Sequence, residues 1–345
     1  MTSEIKFALL NNSEKSLNDV KGLLESCHLK VDRQVDLFAV AYTDNNDIIA
    51  CAGLFHNIIK CVAISPEYRG ENLTSRLINE IILYAADRGV FHLFLYTKPE
   101  NIRVFEKCGF YPLVVIPELA TFMENTPVGI KGYCEKLSQK QHVGKRIGSI
   151  VMNANPFTLG HQYLVEFAAK QCDWLYVFVV SEDSSMFSFK DRFRLVQEGT
   201  SSIANVTVLS SSEYIVSKAT FPSYFLKEKA DVDHAITGID LLVFRNYIAP
   251  SLNIMSRFVG TEPFSPITDK YNHGMKYWLS EYQTSSPTIN VIEIERKKIN
   301  GTPISATAVR YFLKENNLEE VKKLVPETTW AFLKENFATN SREVL

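Results

Sequence analysis

Along residues 36–64 the apolar positions come in short runs, at 36–42, 48–54 and Ile58–Ile64, separated by Asp, Asn and Gly. Runs of that length between turn-forming residues predict antiparallel strands. The rhythm changes at Leu73. Leu73, Leu77, Ile81 and Tyr84 recur at helical spacing, with Ile78, Ile82 and Ala85 on the neighbouring stripe, which predicts a helix over 73–88. Residues 91–96 then predict a strand, 101–107 a short helix stopped by Gly109, and 110–116 another strand.

Between 124 and 146 the apolar runs thin out and Lys, Gln and Gly increase, which sets a boundary. Beyond it, strand-length runs at Ile147–Met152, 174–180, 206–209, 257–259 and 289–294 alternate with helical stretches near 160–171, 190–201, 241–248, 269–279, 306–315 and 327–336. This alternation predicts a parallel sheet, because parallel strands need a crossover and a helix supplies it. The expected organisation is α/β: an α+β domain over 1–130, a linker over 131–146 and a Rossmann-like parallel-sheet domain over 147–340. No internal repeat or low-complexity segment interrupts it.

Composition narrows the chemistry. With 345 residues, 46% hydrophobic and 22% charged, the chain suits two packed domains rather than disorder. A net charge of −2 leaves no basic footprint for nucleic acid, so anion binding must come from a local site. The six cysteines form no CxxC pair and no zinc spacing with histidine, and are read as reduced thiols. Residues 1–30 lack the order of a secretory signal. The longest apolar runs, such as 175–180, fall far short of the roughly 20 residues of a membrane span. A cytoplasmic chain with neither a nucleic acid nor a membrane partner is expected.

Two motifs carry candidate chemistry. The strand at Ile147–Met152 runs into Asn153-Ala-Asn-Pro-Phe-Thr-Leu-Gly-His161 and then a helix. A turn after the first strand of an open parallel sheet is where such sheets bind ligands, and the helix start offers backbone N–H groups and positive dipole to phosphate. Asn155 and Pro156 shape the turn, Gly160 admits close backbone approach, Thr158 can cap the helix, and His161 can donate to a phosphate oxygen, with added charge when protonated. The second motif is Thr302-Pro-Ile-Ser-Ala-Thr-Ala-Val-Arg310. Here Ser305 can cap a helix, Ser305, Ala306 and Thr307 can form a second anion cradle, and Arg310 lies one turn beyond Thr307. Each motif alone also reads as an ordinary capped helix with a surface histidine or arginine. Arg257 opens the strand that ends at Gly260 and is a further candidate for the nucleotide.

Together the motifs resemble the nucleotidyltransferase superfamily (HUP-type) in its TxGH variant, with Thr158–His161 as TxGH and Ile304–Arg310 as the ISSTxxR-like stretch. Ala306 departs from the usual second serine. The resemblance implies that His161, Thr158 and Arg310 serve catalysis on ATP, with magnesium expected on the leaving pyrophosphate and no carboxylate motif visible for it. In the first half, Val62-Ala-Ile-Ser-Pro-Glu-Tyr-Arg69-Gly70 and Asn101-Ile-Arg-Val-Phe105-Glu-Lys-Cys-Gly109-Phe110 resemble GNAT acetyltransferases. Asn72 and Thr74 stand where that family's loop has glycines. Arg69, Gly70 and Asn101 are the candidates there for holding an acyl or CoA-like arm.

A GNAT-like half followed by a TxGH half resembles the citrate lyase ligase family over nearly the whole chain. Residues 92–99, 248–254, 257–263 and 268–272 add to the likeness. The resemblance implies an ATP-dependent acetate–thiol ligase. Its partners would be acetate and the acyl-carrier subunit of citrate lyase, whose phosphoribosyl-dephospho-CoA thiol it acetylates through acetyl-adenylate, releasing AMP and diphosphate. Two alternatives remain at this point: a nucleotidyltransferase making a dinucleotide cofactor, and a GNAT acetyltransferase with a nucleotide-sensing half.

Overall fold

The structure is a computed structural model that describes residues 5–70, 72–181, 185–215, 221, 224–226, 228–261 and 266–337. Glu262 and Pro263 of the 257–263 stretch, and 338–340 of the expected second domain, lie outside the described residues.

The chain runs β1 (Lys6–Asn11), α1 (Glu14–Ser26), β2 (Leu37–Tyr42), β3 (Ile48–Phe55), β4 (Ile58–Ile64), α2 (Leu73–Ala86), β5 (Phe94–Thr97), α3 (Ile102–Glu106), β6 (Tyr111–Ile116), β7 (Ala120–Glu124) and α4 (Gly129–Ser138). It continues with β8 (Ile147–Met152), α5 (Leu159–Gln171), β9 (Trp174–Val179), α6 (Phe189–Thr200), β10 (Val206–Ser210), α7 (Lys229–Val243), α8 (Ala249–Ser251), β11 (Ser256–Gly260) and α9 (Pro266–Lys276). The last elements are β12 (Asn290–Ile294), β13 (Lys298–Ile299), β14 (Thr302–Pro303), α10 (Ala306–Lys314), α11 (Leu318–Leu324) and α12 (Glu327–Phe337). The expected α/β organisation, an α+β region followed by a parallel-sheet region, is the one the chain adopts.

Two compact units divide these elements. One comprises Met1–Tyr133 with Val216–Val243, the other Cys134–Ile215 with Phe244–Leu345. The stretch expected as a linker carries helix α4. Helix α7, which sequence spacing put with the second region, packs on β6 and β7 of the first unit.

In the first unit a mixed sheet has the order β1-β2-β3-β4-β5-β7-β6. β2 and β3 are buried nearly throughout because helices cover them: α2 lies over β2, β3 and β4, while α1 packs against β3 and β4. The apolar stripe of α2, Leu73, Leu77, Ile78, Ile81 and Ala85, is fully buried in that core. Each such leucine or isoleucine contributes roughly 1.5–3 kcal/mol on burial, and Leu77→Ala would remove about 2–5 kcal/mol. All neighbours in the sheet are antiparallel except β4 and β5, which pair in parallel through only Ile58–Phe94 and Ile59–Leu95. The cause lies in β4. Cys61 has a left-handed φ of 53°, and the β3–β4 register shifts between Cys51 and Gly53. Such a bulge bends its strand, and β4 then diverges from β5.

The second unit holds a five-stranded sheet in the order β10-β9-β8-β11-β12, with every pairing parallel. Chain order reverses at β8, so β8 and β11 flank a topological switch point. In open α/β sheets ligands bind outside the carboxyl ends of the strands at that crevice. The buried side of α5, Val165, Ala168 and Ala169, packs with Val177, Val179 and Leu195 into the core beneath it.

Candidate active site

The turn from β8 to α5 lies at the switch point. Thr158, 1% exposed, is the N-cap of α5, and its hydroxyl accepts from the His161 backbone N–H at 3.3 Å. The bond is returned: the Thr158 backbone N–H donates to His161 Nδ1 at 3.1 Å, and Thr158 Oγ1 lies 2.9 Å from the same nitrogen. With Nδ1 accepting, the proton of the neutral imidazole sits on Nε2, which is left as a donor. Phe157 stacks on the ring, with centroids 5.8 Å apart. Burial, and secondly the positive charge of Arg296, lower the His161 pKa from 6.5 to about 4. His161 is therefore neutral at ordinary pH. It offers an N–H dipole rather than the full charge that the sequence left open.

The second motif meets the first. Ser305 caps α10, its oxygen accepting from Ala308 N–H at 3.1 Å. A Cβ on Gly160 would stand 3.3 Å from the carbonyl oxygen of Ile304 and 3.5 Å from its Cβ. Only glycine lets the starts of α5 and α10 pass this closely without displacement. Arg310 then ties the motifs: Nη1 donates to the Asn155 carbonyl at 2.6 Å and Nη2 to Thr307 Oγ1 at 3.0 Å. Burial draws its pKa below the ordinary arginine value. Asn155, Pro156, Thr158, Gly160, His161, Ser305, Ala306, Thr307 and Arg310 thus form one neighbourhood of donors at a helix start.

In the first unit, Arg69, Gly70 and Asn101 line one cavity of about 670 Å³. It opens where β4 and β5 diverge. Asn101 Nδ2 donates to Thr97 Oγ1 at 3.2 Å. Asn72, which replaces an expected glycine, holds a left-handed φ of 56° just before α2. Asparagine tolerates that region better than most residues, so the loop keeps a glycine-like path with a side chain added.

Residues 147–333 match the family described as citrate lyase ligase C-terminal domain, and residues 12–110 match the acetyltransferase (GNAT) family. The chain is 46% identical over 338 residues to the citrate (pro-3S)-lyase ligase of Escherichia coli strain K12, covering 98% of this chain and 96% of that one. The chain belongs to the citrate lyase ligase family. Its counterpart in Haemophilus influenzae is 44% identical over 95% of this chain and 98% of its own length, and that of Klebsiella pneumoniae 41% over 96% and 97%. It is accordingly an enzyme, a ligase whose GNAT-type half precedes its nucleotidyltransferase-like half.

Among the candidates Arg257 lies apart from this neighbourhood, and two further residues lie close to it. The strand register pairs Arg257 with Ser149 of β8 and Val291 of β12, at the amino end of β11. That end is opposite the one that carries the turn. Its guanidinium is buried over the Phe244 ring, 4.6 Å from the centroid. Arg257 opens the strand as expected and so stands at the end away from the turn, while Gly260 reaches the ligand edge. The cation there is Arg296, just past β12, whose Nε donates to the Thr261 carbonyl at 2.7 Å. An arginine directly after the last parallel strand was a readable signal. The other addition is Arg192. Fully buried, it binds the Asn153 carbonyl at 2.9 Å, Asn153 Oδ1 at 2.8 Å and the Val180 carbonyl at 2.7 Å, fixing the turn from beneath.

Among the described residues no group of three or more His, Cys, Asp or Glu is placed to hold a metal ion. The turn offers amide, hydroxyl, imidazole and guanidinium groups, which suit anions and not a cation. These residues do not fit a protein-held magnesium. Among the described residues, no helix is long and apolar enough to cross a membrane.

Proposed function

We propose that the chain activates citrate lyase in the cytoplasm by joining acetate to the thiol of its acyl-carrier subunit's phosphoribosyl-dephospho-CoA group, using ATP. The observation that carries this reading is the meeting of the two motifs through Arg310 and Gly160 at the switch point, in a chain with full-length ligase relatives.

In this reading an acetate oxygen attacks the α-phosphorus of ATP, and diphosphate leaves with the broken P–O bond. The carrier sulfur then attacks the acetyl carbon. A C–S bond forms, the C–O bond to AMP breaks, and the thiol proton passes to solvent. The turn's residues act by positioning and by charge. Arg310 presents a guanidinium already oriented by Asn155 and Thr307, and His161 donates from Nε2 while Thr158 holds its ring. The α5 and α10 starts add backbone N–H groups near Gly160, Ser305, Ala306 and Thr307. Donors fixed before the charge develops are the largest single contribution to many enzymes' rates. Magnesium would enter as the ATP complex, held by the nucleotide. In the first unit, Arg69, Gly70 and Asn101 would receive the carrier's CoA-like arm.

The test combines the protein with ATP, acetate and deacetylated citrate lyase and follows citrate cleavage. Cleavage that depends on both ATP and acetate, with AMP released, supports the reading. AMP transfer to a nucleotide acceptor instead of a thiol would replace it.

A further inference from the structure

Thr158 holds the His161 ring at one atom only. Its backbone N–H and its hydroxyl both lie at Nδ1, at 3.1 and 2.9 Å. Contacts at a single atom fix where the ring begins but not its plane, and the plane decides where the Nε2 proton points. The second constraint is Phe157. Its ring lies 17° from parallel to the imidazole at a centroid separation of 5.8 Å, an offset arrangement that aromatic pairs favour. Phe157 is wholly buried, so its own ring is placed by what packs beside it.

Beside it is a hollow in α6. Gly199 lies in the last turn of that helix. Its φ is outside the left-handed region, so backbone conformation does not call for glycine there, and glycine is the poorest helix former after proline. Space calls for it instead. A Cβ at 199 would stand 2.4 Å from Cε1 of Phe157 and 2.8 Å from Cδ1, so the phenyl ring occupies the place of a side chain. The same glycine is bound from the far side of His161. Gln162 Nε2 donates to the Gly199 carbonyl at 3.2 Å, satisfying one of the carbonyls that a helix end leaves open. Arg192, seven residues and so about two turns earlier on α6, holds Asn153 at the opening of the turn. One helix thus grips the turn at Asn153, at Phe157 and at Gln162.

We propose that Gly199 and Phe157 are positioning residues for the adenylation step: Gly199 seats the Phe157 ring, and that ring sets the plane of His161 and so the direction in which Nε2 donates. The assignment deepens the proposed function and rests on its reading of His161 as a donor to ATP. Both residues act through the histidine. A methyl group at 199 displaces the phenyl ring, and the imidazole stacked on it turns about its anchored Nδ1. The Nε2 donor then no longer meets the charge that develops on the phosphate.

The experiment uses the full chain, with histidine labelled for NMR, and acetate-dependent ATP–pyrophosphate exchange. The imidazole signals of His161 are those lost in His161→Ala. Gly199→Ala is expected to shift them and to lower the turnover of exchange by roughly 10–100-fold, since a misplacement of about 1 Å can cost 10² in rate. The KM for ATP should hold, as it does when the lost interaction belongs to the transition state. Phe157→Leu, which opens the hollow, should lower turnover less. Adding Gly199→Ala to it should cost nothing further, because the methyl group then has room and the two sites are coupled. That double variant also decides the matter if Gly199→Ala alone does not fold. Unmoved His161 signals in folded Gly199→Ala, a raised KM in place of lost turnover, additive losses in the double variant, or lowered melting with turnover intact would each overturn the proposal. Absence of acetate-dependent exchange in the unaltered protein would instead overturn the ligase reading, while the His161 signals still show whether Gly199 seats the ring.

Discussion

The two units hold their candidate sites in opposite states of readiness. At the switch point of the parallel sheet the groups are tied to one another: Arg310 to Asn155 and Thr307, His161 to Thr158, Arg192 to Asn153. In the mixed-sheet unit the strands part instead, and a cavity of about 670 Å³ lies where they diverge. A braced cluster suits a step in which charge develops, because its dipoles need no reorganisation. An open cleft with polar walls suits recognition of a long flexible ligand. Substitutions in the first should therefore act on the ATP-dependent step, and in the second on affinity for the carrier's arm.

The sharpest test of that contrast is His161→Ala. Acetate-dependent ATP–pyrophosphate exchange is expected to fall by about 10²–10³, the usual loss for one preorganised donor. Dephospho-CoA affinity should not change. Equal loss of both would erase the distinction between the units. Arg310→Lys comes next. Lysine cannot reach Asn155 and Thr307 together with a planar fork, so the KM for ATP should rise roughly 10-fold and stability fall by about 1–2 kcal/mol, read by steady-state kinetics and thermal melting. An unchanged KM with lowered stability would make Arg310 a brace only.

A smaller effect follows from the His161 pKa near 4, below the ordinary 6.5. The unfolded chain takes up this proton first, so the histidine's effect on stability is absent above pH 6.5. It becomes a destabilisation that grows as pH falls towards 4 and levels off below. Melting temperature should decline across that window, and less steeply in His161→Ala. Exchange activity should show no histidine titration between pH 6 and 8; a step near 6.5 would contradict the neutral ring. The least effect is expected of Asn72→Gly. Relief of a left-handed asparagine should alter stability by no more than ~1 kcal/mol, seen as a small shift in melting.

Much of this was readable where the signal was local. The strands at β2, β4 and β8, the stripe of α2 and both motif turns announce themselves in short windows. The Ser13 cap and the Val20, Leu23 and Leu24 spacing of α1 are equally local. What escaped depended on distant partners. The aromatic run at 221–226 has no period that tells which core receives it. Helix α7 begins earlier than the helix expected near 241–248, because residues 241–244 are continuously apolar and hide the helical rhythm. Arg257 illustrates another limit: the sequence shows that it opens its strand, but not that its guanidinium lies over the Phe244 ring. Arg192 could not be foreseen either, since a buried arginine is justified only by the carbonyls it meets.

Helix α7 also bears on how the protein is made. Its buried residues, Ala235 to Val243 among them, complete a unit whose other strands and helices end by residue 138. On a ribosome adding ~5–20 residues per second, several seconds pass between the emergence of β7 and that of α7. Through that interval β6 and β7 lack the helix that covers them, while the first strands of the other sheet are already emerging. The nascent chain must keep an unfinished N-terminal unit soluble and let a segment of the later one reach back to it. Synthesis slowed after β10, or a chaperone bound to the nascent sheet, would alter the yield of active enzyme without changing a single residue of either site.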